Sequence, residues 1–332
     1  MKLRASIFCF GLLALLACSP DVPPGVMDPD QKAVDDSGLE LLEPKVDILF
    51  VIDNSGSMSG HQKNLAANVD NFINNFFKTI QIDFHIGVLT TDDDGGSVNC
   101  CGLLVGNPSY LDRSTPDFRK VLASRMIVGT SGSPQEKSFD PVFRALRAPN
   151  LNGPNAGFLR PDAFLSIVFI TDAEDQSVLM TAKSLQDFLV NLKGRPDQIL
   201  SYGVIVPSGE PNCDRDSSDE PKRIEQFLSF SPAAGKNEFS LCDPNFGTRV
   251  AEIGKDLAER VGSSLRLKQV PVLSTVILKF GTQVIGPDPL TGWSFDPDDN
   301  SIHIGPKIVW TKQPPGTRLK IHYEPTKFDD PK

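Results

Sequence analysis

One short stretch of the sequence places an acidic side chain beside two hydroxyl groups. The segment 47–60 reads DILFVIDNSGSMSG, so Asp53, Ser55 and Ser57 alternate directly after an apolar run. Alternate residues of an extended segment point the same way, and Gly56 allows the chain to bend. A carboxylate and two hydroxyls are hard oxygen ligands, which suit Mg²⁺, Mn²⁺ or Ca²⁺. The sequence therefore predicts half of a site for one divalent cation.

A second acid ends another apolar run further along the chain. The segment 46–53 reads VDILFVID, and the segment 164–172 reads FLSIVFITD and ends at Asp172. Continuously apolar runs of this length are typical of strands that a parallel sheet buries on both faces. Ligands of such sheets gather beyond the carboxyl ends of the strands. We therefore expect Asp172 to supply the second carboxylate of the site.

Strand-like and helix-like segments alternate over residues 43–265. Apolar residues at three- and four-residue spacing predict one long helix over 65–80, and further helix starts are predicted at 114–116 and at 133–136, the latter as a capping box. The alternation predicts an α/β fold with a doubly wound, mostly parallel sheet. Residues 266–332 lack helical spacing and predict a small antiparallel, sandwich-like β domain, with Trp293 and Trp310 in its core.

The N-terminal residues are interpreted as targeting segments. Residues 1–17 join a short basic start to an apolar run, which predicts a signal peptide. The tetrapeptide at 15–18, LLAC, resembles a bacterial lipobox, so Cys18 is expected to carry lipid; an ordinary signal peptide with an incidental cysteine is the alternative. Residues 18–42 are rich in Pro, Asp and Gly and predict a flexible tether. The expected location is the bacterial cell envelope, anchored by lipid at the outer membrane.

Export also determines how the cysteines are interpreted. Cys100, Cys101, Cys213 and Cys242 remain after processing, an even number for an oxidising compartment. A bridge between the neighbours Cys100 and Cys101 would be strained and is disfavoured. A bridge from Cys213 to Cys242 would close a long insertion. All three pairings stay formally open.

The residues of the candidate site resemble those of von Willebrand factor type A (vWA) domains. DNSGSM at 53–58 resembles the family's Asp-x-Ser-x-Ser motif, which forms its metal-ion-dependent adhesion site (MIDAS), and ITD at 170–172 resembles its second acidic strand end. Ala173 stands where the family usually has glycine. The family adds a threonine from a loop before a helix, for which MIVGTSGSPQE offers Thr130 and, preferably, Ser133. The wider layout also resembles a group of secreted bacterial lipoproteins.

The resemblance implies a Rossmann-like fold over residues 43–265 and a specific use of the metal. One Mg²⁺, or Mn²⁺ or Ca²⁺ in its place, would be held by the set Asp53, Ser55, Ser57, Asp172 and Ser133 or Thr130. Because few carboxylates touch the ion, an acidic side chain of a protein partner would complete its shell. The expected function is an adhesion or interaction module. A structural envelope scaffold without a working metal is the alternative.

Other features of the sequence argue against enzymes and nucleic-acid binders. The formal net charge is −9, whereas a nucleic-acid binder needs a basic surface. The four histidines share no motif with a serine or an acid, and the sequence contains no P-loop. No enzyme is expected, and a metal-dependent hydrolase is the least favoured reading. The acids at 92–94 are expected in an exposed turn, and Glu174 and Asp175 at a solvated loop edge.

Overall fold

The computed structural model of the chain describes residues 40–42, 44–76, 82–93, 95, 100–210, 219–243, 246–262, 264–297, 300–305, 307–314 and 317–326. The predicted signal peptide, Cys18, most of the predicted tether and Cys213 lie outside this part of the chain. Within it, no helix combines the length and the apolar character that crossing a membrane requires.

Strands account for three sheets in the described residues. In chain order they are β1 (Glu40–Leu42), β2 (Lys45–Ile52), β3 (Asp83–Thr90), β4 (Phe164–Thr171), β5 (Ile199–Ile205), β6 (Glu238–Ser240), β7 (Ser264–Arg266), β8 (Ile277–Phe280), β9 (Gln283–Ile285), β10 (Trp293–Asp296), β11 (Ser301–Ile304) and β12 (Leu319–His322). The largest sheet has the order β3-β2-β4-β5-β6, and every neighbouring pair is parallel.

Helices cover both faces of this parallel sheet. They are α1 (Ser59–Ala67), α2 (Val69–Phe76), α3 (Phe118–Arg125), α4 (Phe139–Ala145), α5 (Ala182–Lys193), α6 (Lys222–Leu228) and α7 (Phe246–Gly262). One apolar core lies under α1, α2, α3 and α7, and the other lies under α4, α5 and α6. The predicted doubly wound α/β class is therefore confirmed.

The central strand β2 explains why the sequence is continuously apolar there. Ile48, Phe50 and Ile52 point into one core, whereas Leu49 and Val51 point into the other. Both faces are covered, so no position of the strand faces water. From β2 the chain passes first to β3 on one side and then to β4 on the other. The crevice between β2 and β4 is thus the topological switch point, where such sheets place their ligands.

Three helix predictions were wrong in detail. The long helix breaks into α1 and α2 at Asn68, whose side-chain amide donates to the carbonyl of Asn64 at 2.9 Å and so competes with helical bonding. The predicted positions Phe77 and Ile80 lie outside the described residues. Helix α3 begins at Phe118, because Asp112 accepts from the backbone N–H of Ser114 and holds a turn instead.

The third correction concerns the predicted capping box at 133–136. Helix α4 begins at Phe139, and residues 131–138 are non-helical. Ser133 accepts the backbone N–H of Gln135 at 3.1 Å, a local turn that competes with helix formation. Glu136 is consequently free to be placed elsewhere, and it lies in the candidate site described below.

The C-terminal part contains two small antiparallel sheets, as predicted. Their strand orders are β1-β12-β8-β9 and β10-β11-β7, and both contribute to one apolar core. Trp293 is buried there and donates its indole N–H to the carbonyl of Ile285 at 3.1 Å, while Trp310 packs edge-on against Phe280. Strand β1, from the end of the predicted tether, pairs with β12, and β7 crosses the predicted boundary at residue 265.

The cysteines correct one expectation. Cys100 and Cys101 form a disulfide with each other, although a bridge between neighbours was disfavoured. Cys101 adopts a left-handed backbone with φ 61° and Gly102 follows with φ 81°, a tight turn that brings the adjacent sulfurs together. Cys242 is also disulfide-bonded, and its predicted partner Cys213 lies outside the described residues.

Candidate metal centre

The carboxyl ends of β2 and β4 bring the two predicted acids to one edge of the sheet. Asp53 follows β2 directly, and its backbone N–H donates to the carbonyl of Ile170 on β4 at 3.0 Å. The Thr171 hydroxyl donates to Asp53 Oδ2 at 2.6 Å. Asp172 is the next residue, so it lies beside Asp53, and both acids are buried.

The two serines lie on the solvent side of Asp53. The backbone N–H of Ser55 donates to Asp53 Oδ1 at 2.7 Å, which turns the loop back on itself. The hydroxyl oxygens of Ser55 and Ser57 are hydrogen-bonded at 3.0 Å. Ser55 is 4% exposed, whereas Ser57 is exposed. The arrangement thus runs from a buried carboxylate through two adjacent hydroxyls to solvent.

Gln62 holds a second loop against this one, a role that sequence analysis missed. From α1, its buried side-chain amide donates to the carbonyls of Asp53 and Gly129, both at 2.8 Å. Its carbonyl oxygen accepts the backbone N–H of Gly129 at 3.2 Å. One side chain therefore satisfies three backbone groups of two loops. A glutamine within a helix gives no sequence signal for such a contact.

The second loop carries the predicted Thr130 and Ser133. The backbone N–H of Gly132 donates to the carbonyl of Asn54 at 2.9 Å, which places the loop beside the Asp53–Ser57 segment. Thr130 is exposed and Ser133 is partly buried. The structure therefore brings the correct loop to the site, and the choice between these two hydroxyls stays a prediction.

The close approach of the two loops depends on the absence of a side chain at Gly132. A Cβ there would lie 2.4 Å from the side-chain atoms of Asn54. We expect Gly132→Ala to push the loops apart, with a loss of stability of about 1–3 kcal/mol and roughly tenfold weaker cation binding. Urea denaturation and calorimetric Mn²⁺ titration measure both. Gly60→Ala, where a Cβ meets nothing within 4 Å, is the matched control; equal effects of the two changes would contradict the prediction.

Glu136 is a third acid of the site and was not predicted. It is 1% exposed, and the Thr91 hydroxyl at the end of β3 donates to its carboxylate. Burial, together with the nearby carboxylates of Asp53 and Asp172, raises the pKa of Glu136 to about 9. In sequence, a glutamate three residues after a serine indicates a capping box, so only the tertiary structure reveals its position.

The electrostatics of the site favour a proton or a cation. Burial raises the pKa of Asp53, and the hydrogen bonds from Thr171 and Ser55 oppose that rise. Among the described residues, no lysine or arginine forms an ion pair with Asp53 or Glu136. Buried like charges without a counterion are unfavourable, so a bound proton or a bound cation is needed to neutralise them.

Two further acids that were expected at a solvated edge are structural. Asp175 is buried and accepts the backbone N–H groups of Ser138 and Phe139 at 2.8 and 3.1 Å, so it caps the start of α4. Glu174 is partly buried and accepts the backbone N–H of Arg223 at the start of α6. Helix starts attract acids through their free N–H groups, which is why these residues face inward.

The acidic turn after β3 is also less exposed than expected. Asp92 is buried, and the carboxylate of Asp93 pairs with Arg144 at 2.7 Å. Asp94 lies outside the described residues. The prediction of an exposed turn was wrong for Asp92 and Asp93, because the following Cys101 donates its N–H to the Asp92 carbonyl and folds the loop back.

The predicted metal ligands combine two carboxylates with hydroxyls. Within the described part of the chain, no group of three or more acidic, histidine or cysteine side chains is arranged to hold a metal ion. A set of Asp53, Ser55, Ser57 and Asp172 relies instead on hydroxyl oxygens for half of its ligands, which hard cations such as Mg²⁺ accept.

Comparisons with known proteins give distant likenesses only. The sequence matches no protein-family model and no curated protein. Proximal thread matrix protein 1 from the mussel byssus is 9% identical with a TM-score of 0.39, over 70% of this chain and 51% of that one. A von Willebrand factor type A structure from Catenulispora acidiphila is 16% identical with a TM-score of 0.37, over 87% and 60%.

A third similar structure is the pilus adhesin SpaC from Lactobacillus rhamnosus GG, in its open conformation. It is 11% identical with a TM-score of 0.38, over 86% of this chain and 39% of that one. The chain thus spans between 39% and 60% of the length of these three structures. At such TM-scores the fold assignment depends on the strand order and crossovers of the chain itself.

Proposed function

We propose that this chain is a cell-envelope interaction module with a vWA-type domain, which binds a protein partner through one divalent cation. The observation that carries the proposal is the pairing of a buried, unneutralised carboxylate with two adjacent hydroxyls that open to solvent. Asp53 supplies the charge, and Ser55 and Ser57 supply the hydroxyls. This donor set fits Mg²⁺, with Mn²⁺ or Ca²⁺ as substitutes.

The residues proposed to hold the cation are those at the ends of β2 and β4 and on the loop that Gln62 anchors. They are Asp53, Ser55, Ser57, Asp172 and Ser133 or Thr130. The cation would supply an electrophilic centre for an oxygen ligand from outside the chain. Because hydroxyls contribute no charge, the ion keeps residual positive charge, which favours a carboxylate from the partner.

The proposed setting is a lipid anchor at Cys18 that holds the domain at the outer membrane of a bacterial envelope. A lipid-anchored binding domain needs no catalytic group, and the proposal includes none. The tether of residues 18–42 would then separate the lipid from the binding edge of the domain, and its composition suits a flexible spacer.

Titration of the full chain with Mg²⁺ and Mn²⁺, by calorimetry and thermal shift, tests the proposal. We expect binding heat, a higher melting temperature and loss of both with a chelator. Ser55→Ala and Ser57→Ala should each weaken Mn²⁺ binding roughly tenfold, whereas Ser124→Ala on the exposed side of α3 should not. Absence of heat and of any thermal shift at millimolar cation would overturn the metal.

The second candidate is a structural envelope scaffold that carries no metal. One observation favours it: the carboxyls of Glu136 and Asp53 lie close enough to change each other's pKa, so a proton held between them neutralises the pair without a cation. The same titration separates the two candidates, because a scaffold of this kind gives no cation-dependent stabilisation.

A further inference from the structure

Exposed apolar side chains of the parallel-sheet part are concentrated at the edge that carries the candidate site. Among the described residues before 270, the exposed large apolar side chains are Ile127, Val178 and Leu179, at 50%, 80% and 50%. Ile127 precedes Thr130 on one loop, and the other two follow Asp172 on the next. We call these three residues the apolar rim. Such a concentration at one edge differs from the single scattered residues of ordinary surfaces.

The backbone beneath Val178 and Leu179 is held by a buried carboxylate. Asp140 is fully buried in the first turn of α4. Its two oxygens accept the backbone N–H groups of Val178, Leu179 and Met180 at 2.9, 3.0 and 3.0 Å. A carboxylate that accepts three backbone N–H bonds fixes the conformation of the segment that donates them.

Arg223 holds the carbonyl side of the same loop. From α6, its guanidinium donates to the carbonyls of Asp175, Ser177 and Met180 at 3.0, 2.8 and 2.5 Å. The same group forms an ion pair with the Asp175 carboxylate at 3.1 Å and lies over the ring of Phe139. The loop is therefore bonded on both its N–H and its carbonyl groups.

The rim is also connected to the candidate site. The backbone N–H of Gln176 donates to the carbonyl of Glu136 at 2.7 Å, only two residues before Val178. On the other side, Gly129 is bonded to Gln62, two residues after Ile127. Both apolar loops thus flank the acids of the site from opposite sides.

A rigid loop that exposes large apolar groups is suited to binding. Exposing a large apolar side chain forgoes about 1.5–3 kcal/mol of burial, and a partner that covers it recovers that free energy. Because the loop is already fixed, little conformational entropy is lost when a partner binds. Apolar anchors in the middle of a protein interface commonly dominate its affinity.

We infer that the apolar rim is the second half of the docking surface and that its occupant is a protein segment in which an apolar side chain neighbours an acidic one. The inference rests on the proposed function, which assigns the acid to the cation. A membrane surface with anionic head groups fits poorly, because Asp53, Glu136 and Asp172 make the same edge acidic.

Selection from a display library of short random peptides tests the inference. With the full chain in Mg²⁺, selected peptides should be enriched in Asp or Glu next to Leu, Ile, Val or Phe. The double variant Val178→Ser with Leu179→Ser should still select acids but lose the apolar neighbour, with roughly tenfold weaker binding of wild-type-selected peptides. Val309→Ser, 81% exposed in the antiparallel part, is the matched control.

Each outcome decides something different. If wild-type peptides carry acids without apolar neighbours, or if the double variant selects the unchanged motif, the rim inference is wrong and the cation proposal stands. If no acid is enriched, or if enrichment persists in chelator, the cation proposal fails and the inference fails with it. The wild-type motif alone is decisive should the double variant prove unstable in a thermal melt.

Discussion

Asp53→Ala is expected to abolish binding of Mg²⁺ and Mn²⁺ by the full chain. The carboxylate is the buried centre of the site, since Oδ1 orients the backbone of Ser55 and Oδ2 accepts the Thr171 hydroxyl. Removing it takes away both the charge and the acceptor that shapes the loop. Loss of a direct ligand should weaken affinity by about a hundredfold or more, beyond the effect of outer-sphere partners. Calorimetric titration measures the change.

Two further variants separate the loss of the charge from the loss of the fold. Asp53→Asn keeps the shape and most of the hydrogen bonds, so it should stay folded and still bind no cation. Asp70→Ala removes an exposed acid on α2 that pairs with Arg119, and it should bind as the wild type does. Binding heat that survives in Asp53→Asn would show that the cation, if bound, is held elsewhere.

Asp47→Ala is expected to cost about 3 kcal/mol of unfolding free energy, the largest stability effect that we predict. Asp47 is fully buried at the start of β2, at the opposite end of the sheet from the candidate site. It accepts the backbone N–H and Nε of Arg160 at 2.6 and 2.8 Å. Without it, the mostly buried guanidinium keeps only the carboxylate of Asp83 as an ionic partner.

Asp162→Ala is the matched control for that prediction. Asp162 pairs with Lys45 near the same end of the sheet, but both side chains are substantially exposed. An exposed pair contributes about 1 kcal/mol or less. Urea denaturation compares the two variants, and equal costs would refute the difference that burial should make. Both variants should keep wild-type Mn²⁺ affinity, because neither touches the edge with Asp53.

The strands could be predicted because their signal is local. Strands β2, β4 and β5 are covered on both faces, so every position is apolar and the run stands out in the sequence. Asp53 and Asp172 follow such runs directly. Parallel strands end at a common edge, so the meeting of these acids followed from the sequence pattern alone. The spacing of Asp53, Ser55 and Ser57 likewise needs only a short loop.

The parts that failed depend on which partner wins a local competition. Ser133 and Glu136 have the spacing of a capping box, yet Ser133 turns toward Gln135 and Glu136 is buried beside Thr91. Spacing along the chain cannot distinguish a glutamate that caps a helix from one that a neighbouring strand end buries. The same holds for Asp175, which caps a helix 36 residues earlier in the chain.

The sequence by itself determined the doubly wound sheet, the antiparallel C-terminal part and the two acids at the switch point. Only the tertiary structure decided that Glu136 joins those acids, that Gln62 holds their loops together and that Asp140 fixes the apolar rim. The physical reason is the range of the interactions. Apolar periodicity acts within one element, whereas a buried polar side chain takes its partners from whichever loops the packed sheet brings within hydrogen-bond distance.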